Sequence, residues 1–172
     1  MVTESNNIIL IGMAGAGKST IGPLLAEKLG YSYVDTDDLI AVSRGRSLQE
    51  ILDNLGQQDF RKLEEQTMLS LSLHRHIIAT GGSVIYSDSA MRHLAEIGLI
   101  MLLDVDLNTL KKRVNNQNSR GLINPSGSSF DELFRKRRPL YEKYADVTVD
   151  CAGLNKEELL DRLVAMIRIN RN

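Results

Sequence analysis

The chain has little cysteine, no excess of charge of either sign and no long apolar run, and each shortage excludes a class of protein. A single cysteine, Cys151, among 172 residues excludes an internal disulfide bond. The net charge of −1 argues against the basic surface that nucleic-acid and membrane partners favour. The first apolar run, Ile8–Ile11, is only four residues long, too short for a signal-peptide core or a membrane span. We therefore expect a cytoplasmic globular protein.

Against this background, one glycine-rich segment has a clear chemical meaning. The residues from Gly12 to Thr20 fit the phosphate-binding pattern G-x-x-x-x-G-K-[ST]. The apolar run Ile8–Ile11 precedes the segment and a helical pattern follows it, so the motif lies between a buried strand and a helix. In that setting, backbone N–H groups and the helix N-terminus surround a phosphate. The motif predicts that Lys18 reaches the β- and γ-phosphates of a nucleotide and that Ser19 binds Mg²⁺.

Strand and helix patterns alternate along the chain, which is typical of an α/β protein with a mostly parallel sheet. Predicted strands are Ile8–Ile11, Tyr33–Asp35, Ile77–Thr80, Leu99–Asp104 and Val147–Asp150. Predicted helices are Lys18–Leu29, Gln57–Leu73, Ser89–Ile97, Leu107–Val114, Phe130–Tyr144 and Lys156–Ile169. We expect residues 1–172 to form one α/β/α domain of three layers around a five-stranded parallel sheet, with ligands at the carboxyl ends of the strands.

Acidic residues and glycines follow two of the predicted strands, at the edge where ligands are expected. In Asp35-Thr36-Asp37, one carboxylate would bind Mg²⁺ through water and the other would accept a proton from an attacking hydroxyl. A turn with a helix cap is an equally good interpretation of this segment. Gly81-Gly82 after the third strand either lets a ligand approach the backbone closely or forms a simple tight turn.

Charged residues on two predicted helices have both a structural and a functional interpretation. Arg61 and Glu64 are three positions apart on one helical face, where a surface ion pair is the simpler interpretation. The run Arg135-Lys136-Arg137-Arg138 is most simply a solvated helix face. Because Pro139 follows the run and is expected to kink or restart the helix, one of these arginines is also a candidate to bind a carboxylate in the cleft.

The longest predicted loop, roughly residues 115–129, is rich in asparagine, serine and glycine and has almost no apolar anchor. A loop of this length in a small domain is typically a mobile lid or a disordered surface segment. In a lid, Arg120 would complete a phosphate site when the lid closes.

Taken in chain order, these motifs resemble the shikimate kinase family over nearly the full length. The phosphate-binding loop is shared by very many proteins, whereas the whole combination is specific. It comprises Asp35-Thr36-Asp37, Phe60-Arg61-x-x-Glu64, Gly81-Gly82, Arg120 and Arg137-Arg138-Pro139-Leu140-Tyr141. The resemblance implies a P-loop fold like that of nucleoside-monophosphate kinases, with a closing lid. It also implies transfer of the γ-phosphate of ATP to the 3-hydroxyl of shikimate, a step towards the aromatic amino acids.

The resemblance also implies roles on the nucleotide side of the site. Lys18 and Arg120 would stabilise the phosphoryl group in transfer, and Arg113 would lie near the adenine. Mg²⁺ would be held by Ser19 and, through water, by Asp35. The residues expected to bind ATP are Gly15, Ala16, Gly17, Lys18, Ser19, Thr20, Arg113 and Arg120.

On the acceptor side, the resemblance implies that Asp37 binds shikimate hydroxyls and orients or deprotonates the nucleophile. Arg61 and Arg137 would clamp the shikimate carboxylate, with Glu64 orienting Arg61. The pair Gly81-Gly82 would place backbone N–H groups near the substrate and the phosphate.

Two residues depart from the family pattern and motivate an alternative acceptor. Ser83 stands where a third glycine is usual, so its side chain is expected to crowd the substrate pocket or shift the backbone. Gly121 stands where the lid usually has proline. The alternative is a related kinase for another hydroxylated acid, such as a sugar acid. A nucleotide-binding module without catalysis is a further alternative, against which the intact phosphate and acceptor residues argue. We expect a monomer that binds ATP and shikimate.

Overall fold

The structure, a computed structural model, describes residues 7–115 and 129–171. Its strands are β1 (Asn7–Ile11), β2 (Ser32–Asp35), β3 (His76–Ala79), β4 (Gly98–Asp104) and β5 (Val147–Asp150). All neighbouring strands are parallel, in the order β2-β3-β1-β4-β5. The phosphate-binding loop therefore leaves the central strand of the sheet, between two neighbours whose carboxyl ends point the same way.

Helices cover both faces of this sheet. Every residue of the central strand β1 is therefore buried, as is typical of a parallel sheet. The helices are α1 (Lys18–Leu29), α2 (Thr36–Arg44), α3 (Leu48–Leu69), α4 (Asp88–Ile97), α5 (Leu107–Asn115), α6 (Phe130–Tyr144) and α7 (Lys156–Asn170). A short 3₁₀ turn, Val84–Tyr86, follows the segment after β3. No helix within the described ranges is both long and apolar enough to cross a membrane.

The five predicted strands are confirmed to within one residue at each end, as is the parallel α/β fold. The helix α2 and the first half of α3 were not predicted. The α2 helix begins directly at the acidic segment, where the Asp35 carboxylate caps it by accepting from the Asp37 amide at 2.9 Å. Gly56 interrupts α3 with a φ of 71°. Because glycine is typical of a break between elements, the helical turns before Gly56 are difficult to recognise from the sequence. The expected restart at Pro139 is wrong, because α6 continues through that residue.

Candidate active site

Three strand ends lie side by side and bring the predicted site segments together. Asp35 at the end of β2 is in register with Ala79 of β3, which is in register with Leu10 of β1. Because the strands are parallel, the segments that follow them leave the same edge of the sheet. These segments are the loop Gly12–Thr20, the acidic residues after β2 and the glycines Gly81-Gly82 after β3.

The phosphate-binding loop wraps around the amino end of α1. The two motif glycines, Gly12 and Gly17, have φ angles of 147° and 100°, and Gly15 between them has one of 83°, a conformation that residues with a Cβ rarely adopt. None of the described side chains caps the amino end of α1 at Gly17. The backbone N–H groups of Lys18 and Ser19, which begin the helix, are therefore available to an anion, whereas that of Thr20 donates to the Gly17 carbonyl oxygen at 3.1 Å. The glycine positions of the motif are therefore required by the backbone shape of the loop.

Lys18 is buried beneath this loop, where its ammonium group donates to the carbonyl oxygens of Gly12 at 2.6 Å and Met13 at 3.0 Å. Burial lowers the pKa of Lys18 to about 8, and the carboxylates of Asp37 and Asp35 oppose that shift. A phosphate bound in the loop would favour the charged ammonium form still further. Lys18 is thus a buried cation whose charge an incoming anion would stabilise.

Ser19 and Asp35 lie together beside the loop. The Ser19 hydroxyl donates to Oδ2 of Asp35 at 2.8 Å, while Oδ1 of the same carboxylate caps α2. The two interpretations of Asp35, cap and ligand, are therefore compatible. Among the described residues, no group of three or more histidine, cysteine, aspartate or glutamate residues gathers as a metal site. A cation here would depend on one hydroxyl, one carboxylate, water and phosphate oxygens, a donor set that suits Mg²⁺.

The glycines after β3 allow a close approach that a simple turn would not need. A Cβ atom at Gly81 would lie 2.7 Å from Oδ1 of Asp37, and one at Gly82 would lie 2.8 Å from Nη1 of Arg137. The Tyr141 hydroxyl donates to the Gly82 carbonyl oxygen at 2.6 Å and holds this segment against α6. The backbone here runs between an acidic group and a guanidinium group.

Arg137 differs from its neighbours in the basic run of α6. It is only 3% exposed, whereas Arg135 and Lys136 are exposed. Its Nε donates to the Tyr86 hydroxyl at 3.4 Å, and its buried Nη2 has no hydrogen-bond partner in the described structure. The interpretation as a solvated face is therefore wrong for Arg137. A buried, unpartnered guanidinium nitrogen is costly, and an anionic ligand would satisfy it.

Glu64 points inwards, so the surface ion pair expected with Arg61 is wrong. The Glu64 side chain is buried, and both of its carboxylate oxygens accept from the Ser83 hydroxyl, at 2.7 and 2.8 Å. Burial raises the pKa of Glu64 to about 7, although the Ser83 hydrogen bond favours the ionised form; Asp37 raises this pKa and Arg137 lowers it. Ser83, the residue in place of a glycine, is therefore the hydrogen-bond partner of a buried acid.

Arg61 turns instead towards an aromatic ring. Its guanidinium carbon lies 4.5 Å from the centroid of the Tyr86 ring, and that of Arg137 lies 5.5 Å from the same centroid. Tyr86 was not predicted as a site residue, because a tyrosine beside Val84 and Ile85 resembles ordinary core packing. Tyr141 belongs to the motif that begins at Arg137, but no role was predicted for it. Its position four residues after Arg137 places the two side chains on one helix face.

The remaining predicted residues divide between described and undescribed parts of the chain. Arg113, near the end of α5, donates from Nη1 to the Gly15 carbonyl oxygen at 3.0 Å and so touches the phosphate-binding loop. Arg120 and residues 116–128 of the predicted lid lie outside the described residues.

Comparison with known proteins agrees with this geometry. The chain matches the family model of shikimate kinase over residues 14–168. A shikimate kinase of Thermodesulfovibrio yellowstonii is 38% identical over 162 residues, covering 92% of each chain. One of Persephonella marina is 33% identical, covering 94% of this chain and 99% of the relative.

Structural comparison leads to the same family. The structure of shikimate kinase from Acinetobacter baumannii in complex with shikimate matches with a TM-score of 0.88 at 28% identity, covering 96% of this chain and 94% of that chain. The chain belongs to the shikimate kinase family.

Proposed function

We infer that this member of the shikimate kinase family transfers the γ-phosphate of ATP to the 3-hydroxyl of shikimate. The observation that carries this inference is the arrangement of one sheet edge, where a phosphate-binding loop adjoins Asp37 and the buried Arg137, whose Nη2 has no hydrogen-bond partner among the described residues. Shikimate carries one carboxylate and several hydroxyl groups. A guanidinium group suits the first and a carboxylate group suits the second.

Phosphoryl transfer requires mainly positioning and the neutralisation of charge. We propose that Lys18 leaves the carbonyl oxygens of Gly12 and Met13 to contact the β- and γ-phosphates, while the loop N–H groups hold the other phosphate oxygens. The contacting residues are Gly15, Ala16, Gly17, Ser19 and Thr20. Arg113, already bonded to Gly15, would adjoin the adenine.

Ser19 and Asp35 have the oxygen donors that Mg²⁺ prefers, and their 2.8 Å contact supports a shared ion beside the loop. We propose that Ser19 holds the ion directly and Asp35 through water. When bound, Mg²⁺ would neutralise charge on the β- and γ-phosphate oxygens.

On the acceptor side, Arg61 and Arg137 would bind the shikimate carboxylate, and the backbone of Gly81-Gly82 would adjoin the substrate. Asp37 would accept a hydrogen bond from the attacking hydroxyl and orient it or take its proton. The Asp37 carboxylate lies so close to Gly81 that no side chain would fit at residue 81. This closeness to the glycine segment supports the role of Asp37 on the acceptor side.

The proposal includes Arg120 as a second cation at the transferring phosphoryl group, carried by a lid over roughly residues 115–129. It also includes a single domain, a monomer and a cytoplasmic location. The described site residues come from one chain and gather at the carboxyl ends of one sheet, which supports a single domain and a monomer. The lone cysteine suits a reducing compartment.

The test is ADP formation from Mg-ATP by the purified protein, measured without an acid, with shikimate and with a sugar acid such as gluconate. The proposal predicts strong stimulation by shikimate and little by gluconate. Equal or stronger stimulation by gluconate would favour the sugar-acid alternative. ATP binding without ADP formation in any mixture would instead indicate a non-catalytic nucleotide-binding module.

A further inference from the structure

We propose that Tyr86 is a positioning residue that holds Arg61 and Arg137 in place for one carboxylate of the acceptor. This inference rests on the proposed function and adds to it a residue of no recognised motif. Tyr86 would act through the two arginines, without itself contacting the reacting atoms.

Tyr86 lies between the two helices that carry the arginines. It ends the 3₁₀ turn Val84–Tyr86, which packs against both α3 and α6. Arg61 comes from α3 and Arg137 from α6, two helices that are distant in the chain. The ring of Tyr86 is the point at which the two side chains meet, at 4.5 Å for Arg61 and 5.5 Å for Arg137.

The ring and hydroxyl of Tyr86 both attract the positive charge of the arginines. Two guanidinium groups that face one ligand repel each other before the ligand arrives. The face of an aromatic ring carries negative charge density and attracts a cation within about 6 Å. The Tyr86 hydroxyl also accepts from Nε of Arg137 at 3.4 Å. The ring and its hydroxyl thus offset part of the repulsion and keep both cations at one place.

Apart from the Tyr86 ring, little fixes the side chain of Arg61. Its side chain is exposed, and within the described residues it makes neither a hydrogen bond nor an ion pair. Glu64, its expected partner, instead accepts a hydrogen bond from the Ser83 hydroxyl. The contact with the Tyr86 ring is therefore what restricts the rotamers of this long side chain before substrate binds.

The chain offers a matched control at the opposite edge of the sheet. Tyr31, just before β2, also lies under two arginines, with Arg75 at 5.4 Å and Arg171 at 5.5 Å from its centroid. Its hydroxyl likewise accepts from a guanidinium group, that of Arg171, at 2.5 Å. Tyr31 makes the same kind of contact but lies at the amino ends of the strands, away from the candidate site. A variant at Tyr31 therefore shows what the loss of such a contact does to general stability alone.

The experiment is steady-state kinetics of the full chain with shikimate and Mg-ATP varied in turn. We expect Tyr86→Leu to raise KM for shikimate about tenfold through loss of both ring contacts, and to leave KM for ATP within about twofold. Tyr86→Phe, which keeps the ring, should raise it only about twofold. Tyr31→Leu should leave both constants unchanged. Should the leucine protein fail to fold, Tyr86→Met fills the same space without a ring and carries the same expectation.

A double variant gives a readout that a merely structural role would not move. Because Tyr86 acts on Arg61, Tyr86→Leu should raise KM for shikimate by clearly less in an Arg61→Ala background than alone. A ringless variant with the original KM for shikimate, or with an equal rise in KM for ATP, would overturn the inference. Full additivity with Arg61→Ala would also overturn it. If the unmodified chain forms no ADP with shikimate, the proposed function fails first, and this inference with it.

Discussion

The nucleotide side and the acceptor side of the site are built in different ways from the same sheet edge. The nucleotide side is built mainly from one continuous segment, Gly12–Thr20, in which the buried Lys18 donates to the carbonyl oxygens of Gly12 and Met13. The acceptor side is assembled from separate elements, and Arg137 retains an unpartnered buried nitrogen. The loop lysine therefore has hydrogen-bond partners before a ligand binds, whereas Nη2 of Arg137 has none among the described residues. The predictions below test this division.

The largest expected effect is on the nucleotide side. Lys18→Met keeps the length of the buried side chain but removes its charge, so we expect kcat to fall by about 10³-fold. The loss follows from missing charge stabilisation on the phosphoryl group. Steady-state ADP formation measures it, and Lys28→Met in the same helix, which removes only an exposed ion pair with Asp161, is the control. Similar kcat values for the two variants would break the proposed role of the loop lysine.

The next effect should be confined to the acceptor side. Arg137→Ala is expected to raise KM for shikimate by about 10²-fold while KM for ATP stays within about twofold, because it removes the buried charge that we propose pairs with the acid. Arg135→Ala, an exposed neighbour on the same helix, should change neither constant. If Arg137→Ala weakened ATP and shikimate binding alike, the two sides would not be separable.

A third effect concerns stability and pH. Because the pKa of Glu64 in the folded chain, about 7, lies above its ordinary value of 4.5, the folded state binds this proton more tightly than the unfolded state does. The resulting stabilisation is fully present below about pH 4.5 and is lost as the pH rises through 7. Relative to Glu64→Gln, the native chain should lose about 2 kcal/mol of unfolding free energy between pH 5 and pH 8.

Denaturant unfolding at the two pH values measures this difference. Glu65→Gln is the control, because hydrogen bonds from Ser87 and Ser89 lower the pKa of Glu65, the next residue on α3. A constant difference between the native chain and Glu64→Gln across this pH range would contradict the assignment of a buried, proton-binding Glu64.

The smallest effect should come from Ser83→Gly, which restores the glycine usual in the family. It removes the hydroxyl that both carboxylate oxygens of Glu64 share, so we expect a loss of about 1 kcal/mol in unfolding free energy at pH 8. KM for shikimate should change less than about threefold. A large change in KM with unaltered stability would instead mean that the Ser83 side chain itself limits the acceptor pocket.

The same division explains which features could be predicted from the sequence. The inner strands β1, β3 and β4 are short apolar runs that are mostly buried, which is the pattern expected of parallel strands. The edge strands β2 and β5 are less buried and were placed by the alternation of strands and helices along the chain. A loop that must bind phosphate through its backbone requires glycines at fixed positions. The α2 helix was not predicted, because the aspartates at its start, Asp35 and Asp37, have two interpretations in the sequence, as a helix cap and as ligands. The direction of a side chain on a helix depends on what packs against it. For that reason, the structure was needed to show that Glu64 points inwards to Ser83 and that Arg61 lies against the ring of Tyr86.

The most direct test of the account is to identify the product formed from shikimate and Mg-ATP by the purified chain, using ³¹P and ¹H NMR. The account predicts one phosphate ester, on the 3-oxygen of shikimate, formed in equal amount with ADP. Inorganic phosphate without an ester, or an ester on another oxygen, would contradict the placement of the acceptor hydroxyl at Asp37 beside the phosphate-binding loop.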